Sequence, residues 1–208
     1  MNSEARNNIL KKIRAALTTS TRLPFPNSEG TESVVQPLQQ DIVVEFAEQF
    51  TQLQGKFAYC ADQQEMFDHF EVLRQKQEWD KIFIQDHNWP GMVDEKYWSD
   101  DIVSCDISIT NCEALVARTG SIILSTQNSG RITSVYAPVH VCIAYTSQLV
   151  YDLKDALEHL TKKYKGTLPS MITFATGPSR TADIEKTLVV GVHGPKEVYL
   201  FLIDDGNL

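Results

Sequence analysis

Between Glu4 and Leu17 the apolar side chains Ile9, Leu10, Ile13, Ala16 and Leu17 recur at helical spacing, with Lys11, Lys12 and Arg14 interspersed. The pattern predicts an amphipathic helix. Thr18 to Pro37 holds Pro24, Pro26, Gly30 and Pro37 among many Ser and Thr, a composition with too little apolar surface to order itself strongly. It reads as a linker, which makes residues 1–37 an N-terminal arm and residues 38–208 the main domain. Whether that arm docks on its own chain, on another subunit or on a partner is left open by the pattern.

Beyond the linker, Ile42, Val43, Phe46, Phe50 and Leu53 predict a second helix, Lys56 to Cys60 a short strand, and Gln63 to Arg74 a third helix. A strand centred on Ile82, Phe83 and Ile84 follows, then an irregular stretch from His87 to Asp101. Thr110 and Glu113 have the T-x-x-E spacing of a capping box and predict the start of a short helix. Ser121 to Ser125, the apolar runs Val139 to Tyr145 and Val198 to Ile203, and Met171 to Ala175 read as strands, and Gln148 to Tyr164 as a helix with Leu149, Leu153, Ala156, Leu157 and Leu160 inward. Strands alternating with helices predict an α/β fold, an open and mostly parallel sheet flanked by helices.

The 208 residues suffice for one substantial core. A formal net charge of -8 argues against nucleic-acid binding. No apolar run approaches the ~20 residues that span a bilayer, and the first seventeen do not read as a secretory signal, so a cytoplasmic protein without a membrane span is expected. Cys60, Cys105, Cys112 and Cys142 have no C-x-x-C spacing, so neither a structural metal nor an iron–sulfur cluster is expected, and buried thiols are.

Candidate chemistry concentrates in three segments. Thr176-Gly177-Pro178-Ser179-Arg180-Thr181-Ala182-Asp183-Ile184-Glu185 follows a predicted strand, where small residues can aim N–H groups and hydroxyls at an anion. Arg180 can grip a carboxylate or phosphate, and Asp183 or Glu185 can serve as acid or base. Equally, Ser179 or Thr181 can cap a following helix, with Asp183 and Glu185 in its first turn. In Gly191-Val192-His193-Gly194-Pro195, His193 is the best acid/base candidate of five histidines, although the same letters make a tight turn. The third segment, Ala117-Arg118-Thr119-Gly120-Ser121 with the later Arg131, can contact a ligand through Thr119, Gly120, Ser121 and Arg131, or simply end a helix at its glycine. His140 can face the same sheet edge or serve structure alone. P-loop, dinucleotide, zincin and α/β-hydrolase motifs are absent.

The A-R-T-G-S, T-G-P-S-R-T-A-D-I-E and G-V-H-G-P segments, in this order and before a terminal apolar strand, resemble the LUD-domain family, and within it the lactate utilization protein C group. The resemblance implies a NagB/RpiA/CoA-transferase-like fold and a part in the oxidation of L-lactate to pyruvate, beside partner proteins that hold iron–sulfur clusters. It makes the chain a subunit that binds a small anionic metabolite. Two other readings stand beside it: an independent isomerase- or transferase-like enzyme acting on a phosphorylated or CoA-linked metabolite, and a non-catalytic scaffold or regulator. Family members often carry an acidic residue where this chain has Arg118, which removes a carboxylate from that position and leaves a possible anion contact.

Overall fold

The computed structural model describes residues 3–18, 37–84, 89, 91–182, 188–191 and 193–206. Residues 1–37 and 38–208 form two compact units. The first contains helix α1 (Ser3–Leu17), with acidic Glu4 in its first turn and basic Arg14 in its last, each suited to the nearby helix dipole.

The second unit opens with α2 (Ile42–Gln52), where Asp41 accepts hydrogen bonds from the N–H groups of Val43 and Val44. Strand β1 (Lys56–Cys60) leads to α3 (Gln63–Gln77), capped by Asp62. Then come β2 (Ile82–Ile84), β3 (Ile107–Thr110), β4 (Ala114–Val116), β5 (Ser121–Ser125), the short helix α4 (Thr133–Tyr136) and β6 (Val139–Tyr145). Strand β7 (Leu149–Val150), α5 (Leu153–Lys163), β8 (Ile172–Ala175), β9 (Arg180–Ala182), β10 (Leu188–Val190) and β11 (Glu197–Ile203) complete the order.

Five strands form a wholly parallel sheet in the order β1-β11-β6-β3-β2. Its central strands are apolar on both sides because both faces are covered. On one face Val141, Ile143, Tyr199, Phe201 and Ile203 pack with Met66 and Phe70 of α3. On the other, Cys142, Ala144, Leu200 and Leu202 meet Phe46 and Phe50 of α2 and Leu115, Ile122 and Leu124 of a second sheet. Phe46 and Phe50 are wholly buried, each contributing about 2–3 kcal/mol of transfer free energy.

The second sheet, β7-β4-β5-β8, is mixed, and α5 covers its far side through Ala156 and Leu160. The expected parallel sheet flanked by helices is therefore present, but the strand Met171 to Ala175 does not belong to it. That segment supplies β8 of the second sheet, antiparallel to β5.

Two local expectations are corrected. Thr110 does not cap a helix, because it ends β3 and shares a 2.8 Å hydrogen bond with His140 Nε2, while the Glu113 N–H pairs with the Ile123 carbonyl next to β4. Polar side chains at capping-box spacing are spent here on tertiary partners. Residues 180–182 form β9, paired antiparallel with β10, and the helical turn expected at Asp183 and Glu185 falls outside the described residues. The helix expected from Gln148 starts only at Leu153, where Asp152 and Asp155 make the capping box.

Candidate functional site

The amino edge of the parallel sheet carries a cavity of about 240 Å³. Thr176, Gly177, Pro178 and Ser179 form one wall and His193, Gly194 and Pro195 another, with Ser134, His140 and Val198 beneath. Two backbone bonds hold the walls together: Ser179 N–H to Pro195 O at 2.9 Å and Gly191 N–H to Ser179 O at 3.0 Å. Gly194 permits this approach, because a Cβ there would lie 2.9 Å from Ser179 Cβ. Gly177 has φ +84°, and a Cβ would lie 2.5 Å from the Leu53 carbonyl oxygen.

His140 is the cavity's most constrained polar group. It lies second in β6, in register with Ser108 on one side and Val198 on the other, and has no exposed surface. Burial pushes its pKa down to about 4, so the imidazole is neutral near pH 7. Its Nε2 bonds Thr110, whereas Nδ1 has no hydrogen-bond partner. A buried polar atom left this way costs about 1–3 kcal/mol, which a ligand's hydrogen bond can offset. A proline and two glycines around His193 signalled part of this cavity, and the position of His140 at the start of a strand allowed it to face the same edge, although the sequence left a purely structural role open.

The other residues expected at a site are distributed differently. Thr119, Gly120, Ser121, Arg131 and Arg180 do not line this cavity. The hydroxyls of Thr119 and Ser121 share a 2.8 Å bond, and Ser121 reaches Thr176 Oγ1 at 2.9 Å, linking the third segment to the first from behind. Gly120 has φ +59° and lies against the backbone of α2, where a Cβ would meet Phe50 N at 2.5 Å. Arg118 pairs with Asp152, the cap of α5, at 2.5 Å. Arg131 donates to Ser170 Oγ at 2.9 Å and Arg180 to Leu53 O at 2.6 Å. Thr181 lies in β9, and Asp183 and Glu185 fall outside the described residues.

At the opposite, carboxyl edge, a crevice of about 320 Å³ is lined by Trp89, Asn111, Cys112, Asn128, Ile143, Tyr145, Gln148 and Lys163. Behind it lies Glu113, whose carboxylate accepts from Ser125 Oγ at 2.5 Å, Tyr164 Oη at 2.6 Å and Lys163 Nζ at 2.7 Å. Burial raises the Glu113 pKa, and those hydrogen bonds outweigh it and hold the group below the usual carboxylate range. Lys163 shows the mirror image: burial lowers its pKa, and Glu113 more than restores it. The one motif at this edge, the T-x-x-E spacing of Thr110 and Glu113, pointed to a helix cap and not to a crevice, because the lining residues are scattered along the chain from Trp89 to Lys163.

All four cysteines are buried free thiols. Burial pushes Cys60 and Cys105 up to about 11, and a hydrogen bond with Cys142 together with burial holds Cys112 well above its ordinary value, so these three are not poised as thiolates near neutral pH. Among the described residues, no three His, Cys, Asp or Glu side chains are grouped to hold a metal ion, and no helix is long and apolar enough to cross a membrane.

A five-stranded parallel sheet flanked by helices and layered with a second sheet, with a cavity at each edge, defines an α/β protein. The LUD domain model matches residues 4–203, and the chain belongs to that family. Lactate utilization protein C of Shouchella clausii is 38% identical over 102 residues, 48% of this chain and 44% of the relative. Its namesake in Geobacillus sp. is 32% identical over 143 residues, 67% of this chain and 59% of the relative. The Bacillus subtilis protein of that name is 35% identical over 103 residues, covering 48% and 43%. The chain thus spans about half the length of these relatives. The fold is shared with the crystal structure of a DUF162 family protein from Deinococcus radiodurans, at 16% identity and a TM-score of 0.57, over 78% of this chain and 96% of that one.

Proposed function

We propose that this protein is a component of L-lactate utilization and binds a small anionic metabolite, a 2-hydroxy or 2-keto acid, in the amino-edge cavity. The observation that carries the reading is the meeting of Ser179 and Gly194 over a fully buried His140 with an unpartnered nitrogen. A volume of about 240 Å³ suits a metabolite of a few heavy atoms better than a nucleotide. The hydroxyls of Ser134, Thr176 and Ser179 can donate to a carboxylate, and His140 Nδ1 can bond the 2-hydroxyl. Relatives named lactate utilization protein C favour the pathway.

Oxidising L-lactate to pyruvate releases two electrons and two protons, and we assign the electrons to iron–sulfur partner proteins. In this reading the subunit binds and positions the acid, in the cytoplasm; His193 lines the cavity as a proton-carrying candidate, and Asp183 and Glu185 remain candidates from the sequence alone.

Calorimetric titration with L-lactate and pyruvate tests the site, using Gly194→Ala to press on Ser179. Saturable binding by the parent chain, weakened at least about tenfold in the variant, is expected. Absence of binding to both acids overturns the cavity assignment. L-lactate-dependent dye reduction by the iron–sulfur partners, with and without this protein, tests the role, and a rate indifferent to its addition refutes it.

A further inference from the structure

The carboxyl-edge crevice lies where the chain changes sides of the sheet. After β2 it places Trp89, Met92 and Val93 in the core on the α3 face, whereas after β3 it places Cys112 and Leu115 in the core on the α2 face. The two departures leave a gap at the carboxyl ends of β3 and β6, the position at which open parallel sheets hold ligands. Trp89 and Asn111 line it from the departing segments, Tyr145 and Gln148 from the end of β6, and Asn128 and Lys163 from the second sheet's side.

The gap is held open by bonds within its own wall. Gln148 Nε2 and Asn128 Nδ2 both donate to the Cys112 carbonyl, at 2.7 and 3.2 Å, and Trp89 Nε1 donates to Asn111 Oδ1 at 3.0 Å. Trp89 and Tyr145 are stacked, with centroids 6.0 Å apart and planes 26° from parallel. The wall therefore combines flat aromatic surface with carboxamides, groups that both donate and accept. Lys163 adds an ammonium, but Glu113 directly behind it cancels the charge, so the crevice does not select an anion.

We propose that this crevice is a second binding site, separate from the small-acid cavity, and that it takes a neutral planar heterocycle of the nucleobase type. Carboxamides match the alternating donors and acceptors on the edge of such a ring, and aromatic side chains match its faces. The proposal does not depend on the acid reading, since the two cavities share no lining residue and open at opposite edges of the sheet.

The Trp89 indole N–H reports on the site directly. Its nitrogen–proton cross-peak, assigned with Trp89→Phe, is followed as adenosine, guanosine, cytidine, uridine, D-ribose, L-lactate or pyruvate is added to the full chain. A saturable shift with at least one nucleoside, weakened about tenfold or more by Asn128→Trp, is expected. Asn128 is a half-buried loop position, so the large ring fills the crevice without entering a strand. No saturable shift with any nucleoside at millimolar concentration, or one unaffected by Asn128→Trp, overturns the proposal. Saturation by ribose alone rejects the heterocycle. Saturation of the Trp89 shift by L-lactate or pyruvate identifies the crevice as the acid site and rejects both assignments, while calorimetric acid binding that leaves the Trp89 cross-peak unmoved, with no nucleoside response, rejects this one only.

Discussion

Lys163 Nζ lies 2.7 Å from Glu113 Oε2, joining a helix to a carboxylate whose own side chain has no solvent exposure. The lysine side chain is 45% exposed, so water can replace part of its contribution. Lys163→Met is expected to destabilise the fold by about 2 kcal/mol, below the ~3–5 kcal/mol of a fully buried broken pair. Urea denaturation at pH 7 measures it. Because Glu113 has a lowered folded pKa, its contribution is present above the usual carboxylate range and is lost as pH falls through the folded value. Glu113→Gln should flatten that acid limb, and an unchanged limb would assign it to other carboxylates.

His140 acts on pH with its own sign. Its folded pKa is about 4 against an ordinary 6.5, so the unfolded chain takes up a proton that the folded chain refuses. Stability therefore falls as pH drops from about 6.5 toward 4, by about 3 kcal/mol at 1.36 kcal/mol per unit. Replacing His140 with Gln should reduce the slope of unfolding free energy between pH 6.5 and 5, whatever it costs at pH 7. Parallel slopes would show that the imidazole already titrates in the native state.

The central strands were legible because their physics is local. Unbroken apolar runs such as Val139 to Tyr145 require cover on both faces, and the layers supply it. Strands β4 and β7 were not, since segments of three and two residues carry no usable period. Thr110 was misread because a capping hydroxyl and a hydroxyl that bonds a histidine thirty residues away are the same letter. The two glycine-containing loops were recognisable as special, but their junction at Ser179 and Pro195 is a tertiary fact. The carboxyl-edge crevice left only the T-x-x-E spacing, which points to a helix cap, since the partner of Glu113 in its ion pair lies fifty residues away.

Gly120 separates packing from turn geometry. Its φ of +59° is unfavourable for other residues, and an added Cβ would also lie 2.5 Å from Phe50 N in the backbone of α2. Gly166, with φ +82°, has nothing within 4 Å of such a Cβ. Gly166→Ala should cost about 1 kcal/mol from backbone strain alone, and Gly120→Ala about 2–4 kcal/mol, since helix and turn must part. Thermal unfolding of both variants checks the difference. Equal losses would mean that α2 yields without resistance.

Arg180 gives the sharpest contrast between two uses of the T-G-P-S-R loop. Its guanidinium donates to Leu53 O at 2.6 Å, and Gly177 lies against the same carbonyl, so the loop is docked on the end of α2. If docking is its task, Arg180→Ala loses one exposed hydrogen bond, worth about 1 kcal/mol of stability, and leaves acid affinity within about twofold of the parent chain. Gly194→Ala should behave in the opposite way, with a modest loss of stability and a large loss of binding, because it presses on Ser179 inside the cavity wall. Calorimetric titration of L-lactate and pyruvate into both variants distinguishes the cases. A loss of about tenfold or more in the arginine variant alone would place the carboxylate on the guanidinium, outside the cavity.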